Sequence, residues 1–232
     1  MTQLHLLSGG AAFGLVSRLQ DRFTADTGCT LAGTYNAVGA MRDQLLAGAP
    51  CDVLILTAAL IAQLESSGHV VAGSARALGT VKTGVAVKAG EAVPPVGTPD
   101  DLKAALRAAT GIYFPDPVKA TAGIHFMNVL KQLGIDGEVA GRLRPFPHGA
   151  AAMAAMAATS EPGLIGCTQV TEILYTPGVQ LVAPLPTSFE LATVYTAAVS
   201  STAANPQAAA ALIALLAGAE AAPARLSGGF ED

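Results

Sequence analysis

The chain has 232 residues, 51% of them hydrophobic and only 13% charged, with a net charge of −4. That length and apolar content support a sizeable buried core, as one large domain or two lobes, and exclude an intrinsically disordered chain. The acidic balance, with no Lys/Arg-rich run, removes the electrostatic basis for nucleic-acid binding. No apolar run reaches the roughly 20 residues that a membrane span needs, so membrane insertion is not expected either.

Cys29, Cys51 and Cys167 show neither Cys-x-x-Cys nor Cys/His spacing. Small buried residues are the main reading, a Cys29–Cys51 disulfide stays open as a second one, and neither a metal nor a cofactor is expected. The chain enters an apolar strand almost at once, without the charged, apolar and small-residue regions of a signal peptide. Two expectations follow: a cytoplasmic protein if Met1 is the native start, or a periplasmic one if a signal peptide has been removed.

In chain order, the apolar run 4–7 breaks on Ser8-Gly9-Gly10 and resumes at helical spacing. This predicts a strand, a tight turn and an amphipathic helix over 13–27, stopped by Gly28. Residues 29–35 return to strand composition, and Asn36-Ala37-Val38-Gly39 turns into a helix over 40–47, closed by Gly48 and Pro50. The run 52–57 is typical of a central parallel strand, and 58–67 is a helix stopped by Gly68. Residues 70–78 read as irregular, and 84–88 as a strand that leads toward a second lobe.

After a Pro-containing loop at 91–98, Thr98 and Pro99 start a helix to about residue 109. Residues 111–114 are a strand ended by Pro115-Asp116-Pro117, and Thr121-Ala122-Gly123 opens a helix running to Leu133, with Thr121 as its expected N-cap. A strand over 143–146 leads through Pro147-His148-Gly149 into an Ala/Met-rich helix over 150–159, in which Met153 and Met156 form a core stripe. Residues 163–168 are a buried strand followed by a short helix at 170–174. Strands at 179–183 and 191–199, the second crossing back, precede an Ala-rich helix at 205–216. Alternation of strand and helix predicts α/β sheets that are largely parallel.

Taken in this order, the pieces resemble the type II solute-binding proteins and, within them, the molybdate-binding branch and its relatives. The resemblance rests on Ser8-Gly9-Gly10-Ala11, on Tyr35 to Ala40, on Gly48 to Val53 and on Phe114-Pro115-Asp116-Pro117 with Thr121-Ala122-Gly123. Gly163 to Thr168 and Ser227-Gly228-Gly229-Phe230 complete it. It implies a two-lobe type II periplasmic-binding-protein fold, each lobe a mixed, mainly parallel sheet flanked by helices. Lobe one would be 1–80 plus 195–232 and lobe two 81–194, with the ligand cleft between them.

The candidate ligand-binding residues are Ser8, Gly9, Gly10, Asn36, Ala37, Val38, Thr121, Ala122, Gly123, His148, Thr168 and Gln169. Independently of the resemblance, three loop-to-helix junctions built of small residues suit close backbone approach to an anion. Thr168 and Gln169 end a buried strand, where ligands bind in such folds. The resemblance implies hydroxyl donors on the first two turns; the chain keeps Ser8 but carries Val38 where a serine is looked for. An apolar Val38, with Phe13 and Tyr35, moves the expected ligand from a metal oxyanion toward a di- or tricarboxylate.

Arg142 and Arg144 are weaker carboxylate-fork candidates, and His5, His69 and His125 read as structural. The glycines satisfy neither a dinucleotide nor a Walker pattern, and no Gly-x-Ser-x-Gly elbow is present. Two functions remain. One is a substrate-binding protein of an ABC transporter, with a small anionic ligand and a permease as partners. The other is a cytoplasmic isomerase on the same scaffold, similar to aconitate isomerase, with His148 as the catalytic base.

Overall fold

The computed structural model describes residues 2–231. From the N-terminus, β1 (Gln3–Gly9), a 3-10 turn (Gly10–Ala12) and α1 (Phe13–Thr27) are followed by β2 (Thr30–Asn36), α2 (Val38–Leu46), β3 (Val53–Thr57) and α3 (Ala58–Ser66). Next come β4 (Arg76–Lys88), α4 (Pro99–Ala108), β5 (Gly111–Pro115), α5 (Thr121–Gln132), α6 (Asp136–Val139), β6 (Leu143–Phe146) and α7 (Gly149–Ala158). The chain ends with β7 (Leu164–Gln169), α8 (Val170–Tyr175), β8 (Val179–Pro184), β9 (Ala192–Val199), α9 (Pro206–Ala217) and α10 (Ala222–Ser227).

The chain forms two compact units: one holds the residues up to Val81 and those from Thr193 onward, the other Lys82–Ala192. In the first, β1 pairs parallel with both β2 and β3, and β9 runs antiparallel to β3. Its core is built on Leu4, Leu6, Leu54, Leu56 and Met41 with Leu212 and Leu216 of α9. In the second, β5 lies parallel between β6 and β7, and β4 runs antiparallel to β7 and β8. Two cores flank this second sheet. Phe126, Val129 and Leu130 of α5 pack with Val85, Ile112, Phe114 and Cys167 on one face. Met153 and Met156 of α7 pack with Ala86, Tyr113 and Leu164 on the other.

Several expectations are corrected. Residues 70–75 are irregular as expected, but the strand expected over 84–88 begins at Arg76 and runs 13 residues as β4. Its small and polar residues, Gly79, Thr80, Lys82 and Thr83, hide the alternation, and pairing partners hold it extended. The helix expected at 40 begins at Val38, because the Asn36 side-chain oxygen accepts the Ala37 N–H at 2.8 Å and the chain turns there. Thr121 is the first helical residue and not the N-cap; Ala120, extended at φ −99° and ψ 127°, precedes the helix with no side-chain bond. All three cysteines are free and buried, so Cys29 and Cys51 form no disulfide. Burial pushes the Cys51 thiol up to about 12, which keeps it protonated and unreactive.

Among the described residues no single helix is long and apolar enough to cross a membrane. Asp52, buried at the entry to β3, ties the first unit together: it accepts the His5 N–H at 2.7 Å and the Asn205 N–H at 3.1 Å. The second bond seats the start of α9, where the Asn205 side chain caps Ala208 N–H at 3.1 Å. Asp52→Ala strands both N–H groups and should lower the unfolding free energy by about 2–6 kcal/mol, at roughly 1–3 kcal/mol per orphaned group. Urea denaturation measures this; a change within experimental error would show that the tie is not stabilising.

Candidate functional site

In the first unit the carboxyl ends of β1 and β2 lie side by side. Ser8 pairs with Tyr35 and Gly9 with Asn36, and on the other side Ser8 is level with Ile55 of β3. Ser8 is fully buried and its hydroxyl donates to the Gly9 carbonyl at 2.9 Å. A side chain at Gly9 would stand 2.7 Å from Val38 Cγ1 and 3.1 Å from Tyr195 Cε1, so the first two junctions close on each other and leave no room for a Cβ. Phe13 meets Tyr35 edge-on at 5.0 Å beside them. Seven residues named from the sequence, Ser8 to Gly10, Asn36 to Val38 and Phe13, therefore share one end of this sheet with Tyr195.

In the second unit the candidates fall on two faces of one sheet. Strand alternation puts Gln169 on the side of Ile165 and Cys167, which α5 covers, and Thr168 on the opposite side with Leu164, which α7 covers. Thr121-Ala122-Gly123 starts α5 at this same sheet end. A methyl group at Gly123 would collide with the carbonyls of Pro115 and Asp116, so glycine is what lets the first turn sit directly on the end of β5. Gln169 and the α5 start thus share one face and one end of this sheet, and His148 and Thr168 are a separate group.

That second group contains a residue sequence reading missed. Glu172, 5% exposed, accepts the Thr168 hydroxyl at 2.5 Å and takes further bonds from the backbones of Gly149, Ala150 and Gln169. His148 is the N-cap of α7, its Nδ1 accepting the Ala151 N–H at 3.2 Å. Burial lowers the His148 pKa, which favours the neutral ring, and an accepting Nδ1 leaves the proton on Nε2. The start of α7 is therefore satisfied by the chain's own Glu172 and His148. The one sequence signal was Glu172 four residues after Thr168 in a stretch with no other charge.

Other candidates are used elsewhere. Arg144 is paired with Glu161 and donates to the Tyr113 hydroxyl, and Arg142 donates to the carbonyls of Arg107 and Ala109. His125 Nε2 lies 2.8 Å from the Phe189 carbonyl, and His69 Nδ1 lies 3.0 Å from Ser67 Oγ. Neither arginine is a carboxylate fork for a ligand. Among the described residues no group of His, Cys, Asp and Glu is arranged to hold a metal ion.

Side-chain capping sorts the helices. Thr57, Thr98, His148 and Asn205 cap α3, α4, α7 and α9. No side chain caps the starts of α1 with its 3-10 turn, of α2, or of α5, which follow Gly9, Ala37 and Ala120. A first helical turn has N–H groups without intrahelical acceptors and the positive end of the helix dipole, so it attracts an anion. The uncapped starts of the helices longer than eight residues are the three junctions named from the sequence.

Burial holds the Glu172 carboxyl above its ordinary value of 4.5, against the pull of its hydrogen bonds. A carboxyl raised in the folded state contributes stability below the unfolded value, and this is lost as pH rises through the folded value. Wild-type stability relative to Glu172→Gln should therefore fall between pH 4.5 and neutrality in urea denaturation. A rise would mean that the Thr168 hydroxyl and the backbone donors outweigh burial.

The chain is similar to known proteins along nearly its whole length. It is 27% identical over 230 residues to the aconitate isomerase of a Pseudomonas species, covering 97% of this chain and 86% of that protein. The periplasmic molybdate-binding protein of Azotobacter vinelandii superimposes with a TM-score of 0.82 over 98% of each chain at 18% identity. The sulfate-binding protein of Mycobacterium tuberculosis does so with a TM-score of 0.76, over 99% of this chain and 86% of that one, at 20% identity. The fold is accordingly the mixed α/β, two-lobe fold of the periplasmic binding proteins. Residues 4–231 match the family model of the bacterial extracellular solute-binding proteins, and the chain belongs to that family.

Proposed function

We propose that the chain is the substrate-binding component of an ABC-type importer, working in the periplasm with a permease, and that it captures a small organic anion of the di- or tricarboxylate class. The observation that carries this reading is the set of three uncapped helix starts after Gly9, Ala37 and Ala120. Their first-turn N–H groups are neutral, fixed donors, and a hydrogen bond to a charged acceptor is worth about 1.5–3 kcal/mol. The first unit supplies the wall formed by Ser8, Gly9, Gly10, Asn36, Ala37 and Val38. The second supplies Thr121, Ala122, Gly123 and Gln169.

Val38 supports a carbon acid over a tetrahedral oxyanion. It packs against Gly9 at the uncapped start of α2, beside Phe13 and Tyr35, and gives this wall carbon surface where molybdate would need a further donor.

The second reading, an isomerase acting on an unsaturated carboxylate, is supported by the similarity to aconitate isomerase. In that case His148 is the residue to consider, and its geometry argues against the base role. Its Nδ1 is occupied by the Ala151 N–H, so Nε2 presents a proton and the ring is a donor. Serving as a base would require the other tautomer and would break the cap of α7.

Thr121→Pro tests the binding reading. Ala120 is already extended and the first helical position tolerates proline, so the fold should be retained while one N–H and one hydroxyl are removed. A ligand at about 100 times its dissociation constant stabilises the wild type by roughly 2.7 kcal/mol. A thermal-shift panel of di- and tricarboxylates, sulfate and molybdate should show stabilisation by a carboxylate, weakened about tenfold in Thr121→Pro, as expected from loss of one charge-assisted bond. Stabilisation by molybdate alone would overturn the carboxylate assignment. For the isomerase reading, proton NMR of trans-aconitate with the protein in deuterated water should show exchange at carbon; unchanged spectra would remove it.

A further inference from the structure

Gln169 is 3% exposed, and neither its Oε1 nor its Nε2 has a hydrogen-bond partner among the described residues. Thr83 stands opposite it in the β4–β7 pair, is 1% exposed, and its hydroxyl is also without a partner. Strand alternation puts both side chains on the α5 side of the sheet, Thr83 in line with Val85 and Val87 and Gln169 in line with Ile165 and Cys167. Buried polar groups are normally bonded, so three such atoms brought together across one strand pair leave room for an outside partner.

The uncapped start of α5 lies at this same point. β5 runs parallel to β7 with Tyr113 level with Gly166, and continuing that register brings Pro115 beside Thr168. Gly123 rests on the Pro115 and Asp116 carbonyls, which fixes the first turn of α5 at the level of Gln169. Two independent features thus meet there: a helix start that attracts negative charge, and an amide that lacks both an acceptor for its N–H and a donor for its carbonyl.

We infer that the solute is a hydroxycarboxylate, its carboxylate held by the first turn of α5 and Gln169 Nε2, and its hydroxyl donating to Gln169 Oε1 beside Thr83. This rests on the reading that the chain binds a small organic anion. A fully ionised oxyanion offers acceptors only; it would satisfy Nε2 and set its lone pairs against Oε1. An amino acid has donors for Oε1, but its ammonium group would sit against the positive end of α5. A hydroxyl is the neutral donor that fits both.

The test is calorimetric binding of pairs that differ by one group, malate against succinate and citrate against tricarballylate, with aspartate as a third arm. The unaltered protein should bind the hydroxy member of one pair about tenfold more tightly, the size expected for one recovered hydrogen bond. Gln169→Leu should bring that ratio close to one with an unchanged or raised Tm, because it removes two unbonded atoms from a buried place. Equal binding within both pairs, tighter binding of aspartate than malate, or a ratio that survives in Gln169→Leu would each overturn the inference while leaving the anion reading in place. Failure of every carboxylate to bind would instead overturn the anion reading on which it rests.

Discussion

The arrangement depends on helix starts that no side chain closes. A helix start is ordinarily closed by a side chain, and at four helices this chain does so: Thr57, Thr98, His148 and Asn205 each reach a first-turn N–H. At Gly9, Ala37 and Ala120 it uses residues that have no polar side chain to offer. Because those starts follow strands whose carboxyl ends are aligned by parallel pairing, they lie at sheet ends. The same topology that builds the core sets out these helix starts.

Close approach is the second requirement, and two glycines meet it. Gly9 lets Val38 and Tyr195 pack onto the end of β1, and Gly123 lets α5 rest on the carbonyls at the end of β5. Neither has a left-handed backbone angle; both are glycine because a Cβ would have no space. Gly149 is a third case with a different outcome, since the atoms against it belong to Thr168 and Glu172. There the chain supplies its own carboxylate to a helix start and closes it.

That contrast separates two groups of polar residues in the second unit. Thr168, Glu172 and His148 satisfy one another and the start of α7, and so act as structure. The side-chain polar atoms of Gln169, one residue along the strand and on the opposite face, and of Thr83 across from it have no hydrogen-bond partner among the described residues. Neighbours in sequence therefore differ in role because a strand sends successive side chains to opposite faces. A proton-transfer role for His148 would draw on the satisfied group, and an anion-holding role for Gln169 draws on the unsatisfied one.

The order of strands and helices, the small-residue junctions at Ser8, Asn36 and Thr121, the capping of α4 by Thr98 and the family resemblance are all legible in the sequence, because they depend on local chemistry. Periodicity, turn residues and N-cap preferences act over a few residues and are written there directly. The long strand β4 was not legible, since its extended form comes from β7 and β8 and not from its own alternation. Nor could the sequence show that Arg144 is taken by Glu161, that Glu172 closes α7, or that the Gln169 side chain has no partner among the described residues. Those facts are about which distant groups meet. By itself the sequence determined the kinds of element and where an anion could approach; only the tertiary structure decided which polar groups were already spent, because satisfaction of a hydrogen bond is a property of pairs.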